Sequence, residues 1–392
     1  MDITTLHAVV RLFPLVGRPR PACPSLQERV REIAEIADIA WQQGANGLHQ
    51  AAHALNKAAL VASDCGLGDL ARDLCWQHID VYRRIGAPLT VPHARYMLEP
   101  VLNLARLQIR AENGDQALRL LDAVYQAVTA RTELVVEGQP LPTAGLIGTR
   151  QEHHKLREWA WLQYLADGIR ALAMAGRWDE AVTHAKVHNG VGVHLMEGRQ
   201  AEIIAHCLHG ASQAARNVLE ECELTEPWER QVGACLNVMS AGRSLSRDGH
   251  AMVQQFLGSE PIPGYAVFRA RFGLAVATLT GAFDVCTADR VLVQVAMEAL
   301  QSGDGYAARD VLGHHTVMRL AGDHRRGLTE LVASAGLGSE SLPAPLLDSI
   351  TASVKLAREV LAKSLPATAS RRAARREPPH DFPSGPARTG TT

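Results

Sequence analysis

The chain predicts an all-α fold built from antiparallel helix pairs. Three observations carry this. Apolar residues recur at steps of three and four from about residue 26 to residue 364, and each run ends at glycine or proline. Apolar residues make up 47% of the chain and aromatics only 5%, with alanine and leucine abundant, which favours helix. Two turns share one pattern. Gly68-Asp69-Leu70-Ala71-Arg72-Asp73-Leu74 and Gly114-Asp115-Gln116-Ala117-Leu118-Arg119-Leu120 both read Gly-Asp-x-Ala-x-x-Leu, 46 residues apart (114 minus 68). In each, glycine is expected to turn the chain, aspartate to cap the next helix and alanine to allow close approach.

Residues 1–24 combine a short apolar segment with Pro19, Pro21 and Pro24, so they are expected to form a linker or an extended arm. Ser25 and Glu28 form a capping-box pair ahead of a helix over 26–43. Its apolar face is Val30, Ile33, Ile36, Ala37 and Ala40. Helix pairs follow at 48–64 with 69–85, and at 93–112 with 115–131. Residues 132–150 lack a helical period and are rich in Gly and Pro, so an irregular insertion on one face is expected. Shorter helices are expected at 194–209 and 211–223. Glu226-Pro227-Trp228 opens another through about Arg243, because proline suits a first turn. Gly258, Pro261, Pro263 and Gly264 form a break. Helices are then expected at 265–281, 285–302, 305–321 and 345–364. The chain thus divides into an arm (1–24), a first helical array (25–258), a second (259–365) and a polar, Pro-rich tail (366–392) expected to be disordered.

The clearest unit runs from Glu158 to Asn189. Trp161, Leu165, Ile169, Leu172 and Ala173 form one apolar stripe, and Ala181, Val182, Ala185 and Val187 a second. Between them, Gly176-Arg-Trp178-Asp-Glu-Ala181 resembles the turn of a tetratricopeptide repeat: a glycine, an aromatic two residues on, and a small alanine three further. Leu165, Gly168 and Leu172 approximate that family's first-helix pattern. The resemblance implies a tetratricopeptide-like superhelical solenoid of antiparallel helix pairs, a non-catalytic interaction module that binds a peptide or protein partner in its concave groove. In that family the first helices of the units line the groove, and asparagine with a basic residue there holds a peptide backbone or carboxylate. By analogy, Asn56 with Lys57 and Asn103 with Arg106 are candidate groove residues, as are Trp161 and Tyr164. High Ala, Arg and Gly with little Lys resembles the composition of actinobacterial proteins, where such arrays serve as regulators or scaffolds.

The remaining residues point to no catalytic motif, and no catalytic, cofactor or metal residue is expected. His184 and His188 stand at i, i+4, a spacing at which two imidazoles can face one metal, but no His-Glu-x-x-His acid accompanies them. His206 and His209 share a face that Cys207 leaves; helix packing is the expectation for all four. No glycine-rich phosphate loop is present. An enzyme with a pocket between helices, and a regulator reaching DNA through a partner, are the alternative functions. A net charge of −1 gives no global field for nucleic acid or an acidic membrane. The tail arginines Arg371, Arg372, Arg375 and Arg376 could make at most a weak nucleic-acid contact. Seven scattered cysteines, with no Cys-x-x-Cys pair, suggest reduced thiols in a cytoplasm. Asp2, Arg11 and Pro14 argue against a signal peptide, and no apolar run approaches a membrane span.

Overall fold

In the computed structural model, which describes residues 2–85, 88–241 and 245–373, the chain is all-α apart from one short hairpin. Helix α1 (Ile3–Val10) is followed by α2 (Leu26–Gln43), α3 (Leu48–Asp64), α4 (Gly68–Arg83), α5 (Val91–Arg110) and α6 (Gly114–Ala130). The hairpin, β1 (Leu134–Val136) and β2 (Gln139–Leu141), precedes α7 (Arg150–Met174) and α8 (Trp178–Val187). Then come α9 (Glu197–Leu208), α10 (Ser212–Glu220), α11 (Pro227–Ser240), α12 (Leu245–Leu257) and α13 (Ala266–Gly281). The last are α14 (Val285–Ser302), α15 (Gly305–Leu312), α16 (Gly322–Ser334) and α17 (Ala344–Ala373).

Local chemistry sets many of these boundaries. Ser25 and Glu28 form the expected capping box on α2, and Thr149 with Glu152 form another on α7. The turns differ from expectation in one respect. Gly68 and Gly114 open the next helix, and Asp69 and Asp115 sit in its first turn without capping it. The residue that turns the chain stands two places earlier. Gly66, Glu112, Gly176 and Gly210 all adopt positive φ (82°, 61°, 72° and 70°). In each case the next amide bonds back five residues: Leu67 to Ala62, Asn113 to Gln108, Arg177 to Leu172, and Ala211 to His206. These four turns share one Schellman stop, which Arg131, Asn189 and Gly336 also carry. Gly176 and Gly210 are 34 residues apart (210 minus 176).

The insertion is ordered. Glu137 and Gly138, with φ of 49° and 78°, make the tight turn of the hairpin. Leu134, Val136 and Leu141 are buried against the helices. Helices α1, α12 and α16 were not expected from periodicity, and the expected helix over 305–321 is α15 plus a 3-10 turn at Val317–Arg319. Helix α17 continues to Ala373, past Pro366; the rest of the expected tail lies outside the described residues.

Each helix from α2 to α16 packs against its sequence neighbour. The odd-numbered helices also touch the next odd one in unbroken succession, α3 to α5 and on through α15. This row is the tighter, inner one. The even helices form an outer row, and accessory elements pack on it: α17 on α2 and α4 across α3, and β1 on α6. The core forms two blocks that meet within α7. One gathers α2 to α6, the hairpin, α17 and the first half of α7; the other gathers α1, the arm and the helices from the second half of α7 to α16. The position-258 boundary falls inside the second block.

The two ends of the row meet. The amides of Gly338 and Glu340, after α16, donate to the carbonyls of Asp64 and Cys65 at 2.8 and 2.7 Å. The buried carboxylate of Asp64 accepts from Arg29 of α2, from Arg110 of α5 at 2.9 Å and from the Tyr306 hydroxyl of α15. Arg29 also donates to the carbonyl of Ala335 at 3.3 Å. Burial works against the Arg29 charge, but Asp64, with Cys23 and Tyr306 adding, outweighs it and holds the guanidinium above its ordinary value. Burial, then Asp64, push the Tyr306 phenol well above the usual range.

Candidate functional site: the inner row

Two different surfaces line the inner row. Over α9 to α15 it is covered by residues 11–25, which run extended across successive odd helices. Gln200 of α9 clamps Leu15 at both ends of its backbone: its Oε1 accepts from the Leu15 amide at 2.7 Å and its Nε2 donates to the Leu15 carbonyl at 2.6 Å. Arg18 pairs with Glu197 of α9 at 2.9 Å. Gly17 lies against Trp228 of α11, where a Cβ would fall 2.3 Å from the indole, so the crossing requires glycine. The Arg20 amide donates to the Gly264 carbonyl at 2.8 Å, and the Gly305 amide of α15 to the Cys23 carbonyl at 2.9 Å. The arm seats Leu6, Val9, Val10, Phe13 and Leu15 in the second core block. Burial of such side chains is worth about 2 kcal/mol each before ordering costs. The expected arm is therefore a structural element as well as a connection.

Over α3, α5 and α7 the arm is absent and the face is polar. Asn56 of α3 donates to Glu99 at 3.1 Å and accepts from Asn103 of α5 at 3.3 Å. Asn103 accepts from Arg106 at 3.1 Å. Arg106 then reaches α7, donating to Asp167 at 3.0 Å and to Gln163 at 2.8 Å. Three sequence-derived candidates, Asn56, Asn103 and Arg106, thus join in one ladder across three helices. Burial raises the Glu99 carboxyl against the pull of Arg95 and the Asn56 bond.

The other candidates lie elsewhere. Lys57 turns to α2 and pairs with Glu32 at 2.7 Å. Trp161 donates to the His188 carbonyl at 2.8 Å, bracing α7 against the end of α8. Tyr164 is buried and stacks on Tyr125 of α6, with His184 and His188 edge-on at 4.7 Å. The His184–His188 pair, 4.9 Å apart, is thus part of an aromatic wedge, and burial lowers the His184 pKa. His209 meets Asp179 at 2.9 Å on the surface. Among the described residues no group of three or more His, Cys, Asp or Glu is placed to hold a metal ion. None of their helices is long and apolar enough to cross a membrane.

Beside the ladder stands a cluster of arginines that sequence reasoning missed. Arg170 of α7 is exposed to solvent, and partial loss of solvation holds its guanidinium below the ordinary value. Asp167 opposes that shift, while Arg20, Arg271 and Arg106 add to it. Arg271 of α13 also lies below its ordinary value, first through lost solvent, with Asp310 opposing and Arg20 and Arg309 adding. Arg271 and Arg309 both approach Asp310 of α15, at 3.9 and 3.6 Å. Arg106 thus links α5 to α7, and Arg271 links α13 to α15. A shallow hollow of about 480 Å³ lies between α4 and the hairpin, lined by Arg83, Arg84 and Glu133 among others.

No protein-family model, curated protein or solved structure matches this chain.

Proposed function

We propose that the protein is a non-catalytic interaction module on a tetratricopeptide-like solenoid, and that it holds an extended segment of a peptide or protein partner against α3, α5 and α7. The observation that carries this is the arm. The second half of the inner row already holds an extended segment by its main chain, through an amide side chain and successive helix ends. Asn56 and Asn103 offer the same amide chemistry on the half that the arm leaves uncovered. The seven free cysteines support a reducing compartment, the cytoplasm.

The test is affinity capture from the source cell with the full chain and two double variants. Asn56→Ala with Asn103→Ala should lose the partner. Lys57→Ala with Trp161→Phe, which alters residues turned to other helices, should keep it. Recovery of the same protein at the same yield by all three would defeat the assignment.

A further inference from the structure

Helix α17 delivers the residues after it to the start of α3, at the edge of the uncovered half. It runs antiparallel to α3. Glu340, just ahead of α17, donates its amide to Cys65 at the end of α3, and Ser364 donates its hydroxyl to the carbonyl of Gly44, in the turn before α3, at 3.3 Å. Lys363 lies over Trp41 of α2 at 4.6 Å. Nine more residues bring α17 to Ala373 (373 minus 364), about 13 Å past that turn. Nineteen residues follow in the sequence (392 minus 373). Nine of them, extended, reach about 30 Å, enough to return over that length and round the end of α3, a helix about 10 Å across.

The inner face at this end is a platform of rings with one cation. His49 and Tyr96 stand seven residues, two helical turns, before Asn56 and Asn103 and on the same faces of α3 and α5. His49 and the Tyr96 hydroxyl share a hydrogen bond at 3.2 Å, and His53 stacks beside His49 at 6.3 Å. Arg95 lies over Trp159 of α7 at 5.4 Å. Both histidines are exposed, while Tyr96 and Trp159 are half-buried. The Arg95 side chain is 55% exposed and stands 3.8 Å from Glu99, beyond hydrogen-bond distance, while Glu99 accepts from Asn56. Aromatic faces thus lie beside a guanidinium that no carboxylate among the described residues holds in a hydrogen bond.

We propose that residues 377–383, Glu-Pro-Pro-His-Asp-Phe-Pro, dock on this platform of the same chain, with Asp381 at Arg95 and Phe382 among the rings of His49, Tyr96 and Trp159. The segment has the complementary chemistry. It carries two acids, Glu377 and Asp381, and no lysine or arginine, and Phe382 is the only Phe, Tyr or Trp after Ala373. Its three prolines fix φ and bring no amide that docking could leave unpaired. A partner's segment on α3, α5 and α7 competes with this one, so the inference rests on the peptide-binding reading of that face and adds its regulation.

The experiment places the photoreactive residue p-benzoylphenylalanine at position 382 of the full chain and maps the cross-links by mass spectrometry. Links within one chain are expected to the stretches that hold His49, Tyr96 or Trp159. Arg95→Glu should cut their yield at least about fivefold, Asp381→Lys should do the same, and the two together should restore it. Arg31→Glu, at an exposed position on α2, should leave the yield unchanged. Links that are absent, spread over other helices, formed only between chains, or unmoved by Arg95→Glu would overturn the proposal. Capture of a partner separates this failure from that of the peptide-binding reading. A partner held through Asn56 and Asn103 without these links removes the docking alone, and links with no such partner remove the peptide-binding reading alone.

Discussion

The two core blocks solve the same packing problem from opposite sides. In the first, α2 to α6 and the start of α7, the additional cover comes from outside: α17 packs on α2, α3 and α4, and the hairpin packs beside α4 and α6. In the second, from the end of α7 to α16, the cover comes from inside, as the arm crosses the inner row. The consequence is visible in single helices. Nearly every residue of α13 from Arg269 to Thr280 is buried, while α5 keeps Asn103 and Arg106 in partial contact with solvent. A polar ladder survives only where the inner face has no strap over it. Helix pairing alone therefore does not decide which face is available; the extra segment does.

The largest way to break this arrangement is to remove the junction of the two blocks. Asp64→Ala strands Arg29 as a buried, unpaired charge and frees Tyr306 and Arg110. Stability should fall by about 3–5 kcal/mol, read from the urea midpoint, as for other broken buried pairs. A loss below ~1 kcal/mol would mean the ends are joined by other contacts.

The same amide chemistry on the two halves should next give different costs. Gln200→Leu leaves the buried backbone groups of Leu15 without their partners and should cost about 2–3 kcal/mol. Asn103→Leu, on the half open to water, should cost about 0.5 kcal/mol or less, because its neighbours can be hydrated. Equal costs would erase the distinction between a covered and an uncovered face.

Each block also buries a histidine, and acid should separate them. His78 in α4 is enclosed, and neither ring nitrogen finds a hydrogen-bond partner among the described residues. Burial takes its pKa from 6.5 down to about 3. His314, after α15, bonds Thr278 and Thr316 at 2.9 and 2.8 Å; burial takes its pKa down to about 4, with His315 adding. Both are neutral when folded, and the unfolded chain takes up the proton first. Their contributions are full above pH 6.5 and are lost as pH falls towards those lower values. Each should remove about 2 kcal/mol between pH 6.5 and 5, since one pH unit is worth ~1.4 kcal/mol per proton. His78→Leu should flatten the slope and raise stability at every pH, because it also removes an unsatisfied polar ring. His314→Leu should flatten it while lowering stability near neutrality. The pH dependence of the urea midpoint checks both.

The smallest effect lies in the turns. Gly176→Ala should cost about 1 kcal/mol from left-handed strain alone, because a Cβ there meets nothing within 4 Å. Glu112→Gly, at the same place in the α5–α6 turn, should gain about 0.5–1 kcal/mol. Melting midpoints moving in the same direction would refute the equivalence of these turns.

Much of the helical framework was legible because its signals are local. The capping box at Ser25 and the apolar face of α2 are written within one stretch, and the expected 26–43 matches α2 at both ends. Helix α16 was missed because only Leu328 of it is buried, so its apolar period is faint. The hairpin hid because Glu137, with no mark of a turn former, supplies the first positive φ. Asn56, Asn103 and Arg106 were found through their parallel placement before two similar turns. Gln200 was not, because its role depends on an arm whose partners lie as much as 281 residues away. Nor could spacing separate Lys57 from Asn56: adjacent residues on a helix point about 100° apart, and one met α2 while the other met α5.

The arm has a consequence for the order of synthesis. Its residues leave the ribosome well before their partners: Gln200 follows Leu15 by 185 residues, and Asp304 follows Cys23 by 281. At roughly 5–20 residues per second, the segment waits on the order of ten seconds to a minute for its seat to be made. Throughout that interval Leu6, Val9, Val10, Phe13 and Leu15 have no core to enter. A segment made early thus cannot take its seat until α15 has been made. Nascent chains halted before α15 should carry an arm open to chaperones and proteases, while chains released after it should not.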